Sequence, residues 1–361
     1  MIIKSLELMD YRNYESLNIN FGSGTNILYG DNAQGKTNIL EAIFLASITK
    51  SHRGTKDKDI IRFGCEEGHI RTLLFKDNVD TKIDIHLRSS KTKVIAIDGK
   101  RIKKATELLG ILNVVFFSPE DLNIIKNGPG ERRRFIDMEL CQLDDFYLYN
   151  LNNYNKIVNQ RNTLLKDLYF NPSLKETIEI WNSQLVSFGS KVIERRKTFV
   201  DQLNEVIGPM HEKLSGGRES LRIIYTPNVS IEDFEEKLSR STEQDIKSKM
   251  TNVGPHRDDF VFMTEDIDIR RFGSQGQQRT AALSLKLSEI KIVKKIINDT
   301  PVLLLDDVLS ELDSGRQNFL LDSIGDVQTI ITCTGVEDFV NSRLKIDKLF
   351  EISNGKIVKE Q

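Results

Sequence analysis

In the stretch Gly30-Asp-Asn-Ala-Gln-Gly-Lys-Thr37 (GDNAQGKT), four residues fall on the fixed positions of G-x-x-x-x-G-K-[ST]: Gly30, Gly35, Lys36 and Thr37. An apolar run at 26–29, NILY, precedes it, and NILEAIFLAS at 38–47 follows with helical spacing. Strand, glycine loop and helix is the context in which this pattern has a physical purpose. A polyphosphate concentrates negative charge. A glycine-rich loop lets backbone N–H groups curl around that charge with no side chain in the way. The helix start near Gly35 adds the positive end of its dipole. Lys36 would reach the β and γ phosphates, and the Thr37 hydroxyl would ligate Mg²⁺. The plain alternative is a glycine turn joining strand to helix.

A second site supports the phosphate reading. VLLLDD at 302–307 is an apolar strand that ends in two carboxylates. Asp306 would hold Mg²⁺, directly or through water, and Asp307 would orient or deprotonate the attacking water. Without the first motif this is simply a strand leaving into an acidic loop.

Composition limits the remaining possibilities. The chain has 361 residues and a formal net charge of −2, so it is no polycation, and a nucleic-acid surface must be a local patch. Its three cysteines, Cys65, Cys141 and Cys333, are widely spaced and form no CxxC, which points to a reducing compartment. No stretch approaches the length of a membrane span, and the first residues lack a signal-peptide core. The expectation is a cytoplasmic protein.

IIKSLELMDY, LNINF and NILYG read as strands near the start of the chain. KIDIHLR and VIAIDGKRI read as later ones, with a hairpin signal at Asp98-Gly99, and NVVFF at 113–117 as a buried one. From about 130 to 208 the pattern becomes helical. Tyr147, Leu151, Tyr154, Val158, Leu165 and Leu168 follow a four-three spacing, with Arg161 in the slot left over. A second register runs Leu174, Ile178, Trp181, Leu185, Phe188, Val192, Phe199, Leu203 and Val206, interrupted at Arg195. YFNPS at 169–173 separates the two as a turn. Two antiparallel helices packed as a short coiled coil fit this pattern, and so does a plain helical bundle. Gly208-Pro209 kinks or ends the second helix. LRIIYT at 221–226 is a strand, and Ser230 to Asp233 is a candidate cap for the next helix. QTIITC at 328–333 is a core strand, and KLFEISNGKIVKE turns at Asn354-Gly355.

SQGQQR at 274–279 opens the long helical stretch TAALSLKLSEIKIVKKI, and Ser310-Glu-Leu-Asp313 follows the two carboxylates. Phosphate loop, serine-glycine-glutamine signature, DD strand and S-x-L-D, in that order, resemble the ABC-type ATPases. The resemblance implies an α/β head built from both chain ends. Its ATPase lobe I would be 1–125 and 250–361, and a helical lobe II, 126–249, would carry a short antiparallel coiled-coil-like arm at about 147–206. It further implies that Gly30, Asp31, Asn32, Ala33, Gln34, Gly35, Lys36 and Thr37 bind ATP. Ser274, Gly276 and Gln277 would complete the pocket of a second copy, Lys36, Asp306, Asp307 and Ser274 would serve hydrolysis, and Thr37 and Asp306 would hold Mg²⁺. Ser274 could equally just cap its helix, and the two roles are compatible.

A helical insertion between phosphate loop and signature is similar to the SMC-like branch of that group rather than to transporter ATPases. LELMDYRNY at 6–14, SHRG at 51–54, FSPEDL at 117–122, GPGERRRFID at 128–137, NVGPHRDD at 252–259 and SQGQQRT together resemble the RecF family across nearly the whole chain. That resemblance implies a slow, DNA-dependent ATPase of recombinational repair, the damage response and replication-fork maintenance. Such a protein dimerises on ATP at DNA gaps or junctions and acts with RecO and RecR to support RecA loading. A nuclease would need a further carboxylate cluster, and a structural SMC head would need longer arms. Asp307 stands where most ABC-type sites have Glu, and Thr332, Cys333 and Thr334 stand where many have a histidine; both departures imply slow turnover. FSPEDL lies where a glutamine linker is usual but contains no glutamine.

The candidate DNA-phosphate contacts are four basic clusters: Lys100, Arg101, Lys103 and Lys104; Arg132, Arg133 and Arg134; Arg195, Arg196 and Lys197; and Arg53, Lys56 and Lys58. His256 and Arg257 could serve DNA, the nucleotide or packing.

Overall fold

A computed structural model describes residues 1–168, 170–325, 327–335 and 345–361. Tyr169, within the expected YFNPS turn, lies outside these described residues. The first half of the chain carries β1 (Ile2–Tyr11), β2 (Tyr14–Asn20), β3 (Thr25–Tyr29), α1 (Lys36–Ile48), α2 (Asp57–Ile60), β4 (Glu67–Lys76), β5 (Val79–Arg88), β6 (Val94–Ile97), β7 (Lys100–Arg101) and β8 (Val114–Phe117). Then come α3 (Leu122–Lys126), α4 (Pro129–Leu143), α5 (Asp145–Asp167), α6 (Ile178–Ser215), β9 (Leu221–Thr226), α7 (Phe234–Arg240), α8 (Thr242–Ser248), β10 (Asp259–Thr264), β11 (Ile267–Asp268) and α9 (Ile269–Phe272). The last part is α10 (Gln275–Ile297), β12 (Val302–Asp306), α11 (Ser314–Ile324), β13 (Thr329–Cys333), β14 (Ile346–Ser353) and β15 (Lys356–Glu360).

Two compact units result. The first comprises Met1–Asp121 and Glu289–Gln361, the second Leu122–Ser288. The sequence expectation divided the chain at 125/126 and 249/250. The second boundary moves because β9 pairs antiparallel with β10, Leu221 opposite Thr264, and this ladder holds 250–288 to the helical segment.

The first unit contains two six-stranded sheets. One runs β2-β1-β4-β5-β6-β7 with antiparallel neighbours, and the other runs β15-β14-β3-β13-β12-β8. In the second sheet β14, β3, β13, β12 and β8 are mutually parallel. β3, β8, β12 and β13 are almost wholly buried, as near-continuous apolar strands of a covered parallel sheet should be. β3 and β12 come from opposite ends of the sequence and flank β13. Their carboxyl ends therefore emerge on either side of it, where ligands sit in open α/β sheets.

In the second unit α5 and α6 pack antiparallel, with Tyr154 and Val158 against Leu185 and Ile193, and Leu165 against Ile178. Val229, Phe234 and Leu238 cover the same face, so the helix pair has a third layer. Gly189 permits this: a Cβ there would meet Phe234 Cε1 at 2.5 Å and Tyr154 Cε2 at 2.9 Å. The helices extend beyond the expected 147–206 arm, to 145 and 215. α6 passes through Pro209 without ending, because Ile207, Met210 and Leu214 keep its buried face continuous on both sides. Ser230 accepts from the Asp233 N–H in the turn before α7 rather than capping the helix itself.

The leftover arginine of the first register is a buried anchor. Arg161 donates to Asp245 Oδ2 (2.8 Å), Thr251 Oγ1 (2.9 Å) and Asn182 Oδ1 (3.0 Å), and both ionic side chains are fully buried. In the second register the buried cation is Arg196, one residue after the expected interruption. It donates to Asp137 Oδ1 (2.7 Å), Asp258 Oδ2 (2.9 Å) and Pro255 O (2.6 Å). Arg195 is partly exposed and pairs with Asp144.

Candidate nucleotide site

The loop between β3 and α1 is wound tightly by three positive φ angles: 142° at Gly30, 64° at Ala33 and 114° at Gly35. The two glycines are sterically required. A Cβ at Gly30 would lie 2.3 Å from Ile352 O, and one at Gly35 would lie 2.6 Å from Asn13 Nδ2 and 2.8 Å from Tyr14 Oη. Asp31, Asn32 and Ala33 are exposed, Gln34 and Thr37 half-buried, and Lys36 buried. Lys36 Nζ folds across its own loop to Gly30 O (2.6 Å) and Asp31 O (2.8 Å).

Two segments hold this loop from outside. Asn13 Nδ2 donates to Gln34 O (2.9 Å), while Asn13 Oδ1 accepts from Asn38 Nδ2 (2.8 Å). Tyr14 Oη donates to Gly35 O (3.0 Å). From the far end of the chain, Asn354 N donates to Gln34 Oε1 (2.6 Å) and Gly355 N to Gln34 O (3.1 Å). Behind α1, Arg12 grips Glu41 with two bonds, at 2.8 and 2.7 Å, and Ser51 adds a third donor. Burial pushes the Glu41 carboxyl up, but the Arg12 and Ser51 hydrogen bonds hold it below the ordinary range. These contacts give roles to LELMDYRNY and SHRG. Residues 12–14 and 51 brace the loop and its helix, which no periodicity in those segments announces.

Sheet register brings the second predicted site beside the first. Asp306 pairs with Thr332, and Thr332 with Leu28. Asp306 Oδ1 accepts from Thr37 Oγ1 (2.7 Å) and from Thr332 Oγ1 (2.8 Å). Thr332 Oγ1 in turn accepts the Asp307 N–H (3.0 Å). Burial raises the Asp306 carboxyl above its ordinary value, the two hydroxyls oppose that, and neighbouring Asp307 adds to it. Asp307 is half-buried with φ 51°, a turn that Asp tolerates better than most residues. Thr332 thus joins the two carboxylate positions. Among the described residues no group of three His, Cys, Asp or Glu is arranged to hold a metal. Asp313 caps α11 through the Arg316 N–H (3.1 Å), and Ser310 Oγ donates to Asp307 O (2.7 Å).

Ser274, Gly276 and Gln277 belong to the second unit. Ser274 and Gln277 form a reciprocal cap at the start of α10: Ser274 N donates to Gln277 Oε1 (2.8 Å), and Gln277 N to Ser274 Oγ (3.2 Å). The capping role therefore exists, and Ser274 and Gly276 remain exposed.

Two of the four basic clusters lose members to the interior, while Arg134 and Lys197 stay exposed. Arg132 is buried and bidentate to Asp259 (2.7 and 3.0 Å), and Arg133 donates to Asp258 O (2.6 Å). Arg196 is the anchor described above. GPGERRRFID and NVGPHRDD thus meet each other through Asp137, Arg196, Asp258 and Asp259, as packing. His256 belongs to the same interior: its Nδ1 pairs with Tyr154 Oη (2.6 Å) and its Nε2 with Thr251 O (2.9 Å), and burial pushes it down to about 4. The Lys100–Lys104 and Arg53–Lys58 basic side chains are exposed.

A glycine phosphate loop, a carboxylate-tipped parallel strand beside it and a serine-capped signature helix within a helical insertion define an ABC-type ATPase head of the SMC kind. Solved SMC heads share the fold: the Pyrococcus furiosus Smc head domain bound to the ScpA C-terminal domain aligns with TM-score 0.59 at 18% identity, over 99% of this chain and 96% of that one. The chain belongs to the RecF family, and the model for the RecF/RecN/SMC N-terminal domain matches residues 2–357. It is 59% identical over 362 residues to the DNA replication and repair protein RecF of Lachnospira eligens, covering 100% of both chains. It is 59% identical over 359 residues to that of Lachnoclostridium phytofermentans, covering 99% of this chain and 100% of the relative. A structure of the recombination mediator protein RecF with ATP, from the RecFOR pathway, superposes with TM-score 0.93 at 36% identity, over 99% of this chain and 97% of that one. Among the described residues no helix is long and apolar enough to cross a membrane.

Proposed function

We propose that this chain is an ATP-dependent DNA-binding protein of recombinational repair and replication-fork maintenance, acting in the cytoplasm, in which bound ATP joins two copies. One contact carries the proposal: Asp306 Oδ1 accepts from Thr37 of the phosphate loop, so loop and carboxylate strand form one site. Gly30 to Thr37 hold the triphosphate, whose oxygens compete with the Gly30 and Asp31 carbonyls for the Lys36 ammonium. Thr37 and Asp306 offer the hard oxygen donors suited to Mg²⁺, which when bound offsets charge on the transferred phosphoryl group. Asp307 orients the attacking water. Its carboxylate is one methylene shorter than Glu, which favours slow turnover and a switch-like use of ATP. Ser274 and the Gly276 backbone of a second copy meet the γ-phosphate.

The ATP-bound RecF relative supports the nucleotide, and its place in the RecFOR pathway supports RecO and RecR as partners. Membership of the RecF family supports the reading that it acts at DNA gaps or junctions and aids RecA loading. Light scattering with and without ATP tests the proposal on the parent, Lys36→Ala and Ser274→Arg. Nucleotide-driven dimers are expected in the parent alone. A parent that stays monomeric at saturating ATP, or a dimerising Ser274→Arg, overturns it. Gapped DNA is expected to stimulate the parent's hydrolysis, and equal rates with and without DNA would remove the DNA-dependence.

A further inference from the structure

The Gln277 side chain is occupied at both ends. Its Oε1 accepts from the Ser274 N–H, and its Nε2 donates to Glu219 Oε1 at 3.0 Å. Glu219 is itself fixed. Its N–H donates to Ser215 Oγ (3.3 Å), and its carbonyl accepts from that same hydroxyl (3.2 Å) at the end of α6. The other carboxylate oxygen, Oε2, lies 3.6 Å from Nε2 of His211, a buried residue whose Nδ1 meets Ser284 Oγ on α10 at 2.9 Å. Glu219 thus stands just beyond α6 and reaches the first turn of α10.

An ionised carboxylate only accepts hydrogen bonds. Facing Glu219, the Gln277 amide must present its NH₂ to the carboxylate and its oxygen to the Ser274 N–H. Reversed, the amide would aim NH₂ at a backbone donor and lose both bonds. Glu219 therefore reinforces the orientation that the Ser274 N–H also demands, and with it the reciprocal cap. The cap also orients the serine: Ser274 Oγ receives the Gln277 N–H, which leaves its hydroxyl proton free to donate outward.

We propose that Glu219 is a positioning residue of the signature turn, holding Gln277 so that Ser274 presents its hydroxyl proton away from its own helix. This rests on the proposal above, that Ser274 meets the triphosphate of a second copy. Glu219 touches no nucleotide; it acts through Gln277.

The test compares Glu219→Ala, which removes the acceptor, with Glu219→Gln, which keeps a carbonyl oxygen without the charge. Three quantities are read on the full chain: the ATP concentration for half-dimerisation, fluorescent ATP-analogue binding to the monomer, and hydrogen exchange of the 274–277 amides without nucleotide. Glu219→Ala is expected to raise the half-dimerisation concentration about tenfold, the effect of one lost hydrogen bond. Its 274–277 amides should exchange faster, while monomer binding at the phosphate loop stays at the parent value. Glu219→Gln should stay within about threefold of the parent for dimerisation and keep its amide protection. Parent-like dimerisation or exchange in Glu219→Ala overturns the inference. So does a Glu219→Gln variant as impaired as Glu219→Ala, because charge would then be the active element. If the parent itself does not dimerise, the functional proposal falls, and the exchange comparison alone decides whether Glu219 positions the turn.

Discussion

Replacing Thr332 by valine removes one hydroxyl and almost no volume. That hydroxyl has two close partners, donating to Asp306 Oδ1 at 2.8 Å and accepting the Asp307 N–H at 3.0 Å, with Leu305 O at 3.5 Å. A hydrogen bond to a charged acceptor contributes about 1.5–3 kcal/mol, and a part-buried N–H left without an acceptor costs about 1–3 kcal/mol. Thr37 still donates to the same carboxylate oxygen, which places the expected loss at roughly 2–4 kcal/mol near neutral pH. The pH dependence gives a sharper check. Burial already lifts Asp306 above the ordinary 3.8, and losing a donor lifts it further. A carboxyl raised in the folded state favours the fold when protonated, and that advantage disappears as pH rises through the folded value. The valine deficit is therefore largest above the raised pKa and shrinks as pH falls toward and below 3.8. Urea unfolding of the parent, Thr332→Val and Thr332→Ser across pH measures this, with the serine variant expected within about 1 kcal/mol of the parent. A valine variant matching the parent, or a deficit that grows on acidification, refutes the reasoning.

Breaking the fully buried Arg161–Asp245 pair by Asp245→Ala should cost roughly 3–5 kcal/mol in denaturant unfolding, because an uncompensated guanidinium stays inside; a loss below about 1 kcal/mol would contradict it. His256 is held at about 4 against an ordinary 6.5, so the stability present above pH 6.5 should drain away as pH falls toward about 4, by on the order of 3 kcal/mol. His256→Phe should flatten that slope, and an unchanged slope would assign it to other groups. Reversing Lys100, Arg101, Lys103 and Lys104 to Glu should weaken DNA binding and lower its salt slope by about one for each phosphate no longer neutralised; an unaltered slope places the DNA elsewhere.

What was legible in the sequence was what chemistry spaces rigidly. Gly30, Gly35, Lys36 and Thr37 sit at fixed intervals because a loop of that length must enclose a phosphate, and the strand ending in Asp306-Asp307 is apolar because it is covered on both faces. Contacts between distant segments were not legible. Arg161 filled the slot left over in its register with no visible purpose, because its partner Asp245 lies 84 residues away. Arg196 hid behind Arg195 because adjacent arginines look alike until burial separates them. The bracing by Asn13, Tyr14 and Gln34 was not legible either, since the partners come from three parts of the chain. The β9–β10 ladder, which shifts the second boundary, joins strands too short and too far apart in sequence for alternation alone to pair them.

The position of β3 also governs how the molecule can be made. Its two ladder neighbours, β13 and β14, both belong to the final stretch of the chain. At a synthesis rate of about 5–20 residues per second, β3 and its loop leave the ribosome roughly 15–60 s before those neighbours exist. Throughout that interval a greasy ribbon with open edges has to be kept from other chains. The contiguous second unit, by contrast, can fold as soon as it emerges. Depleting holding chaperones during synthesis should therefore raise the insoluble fraction of newly made chains, with the soluble remainder keeping its chemistry.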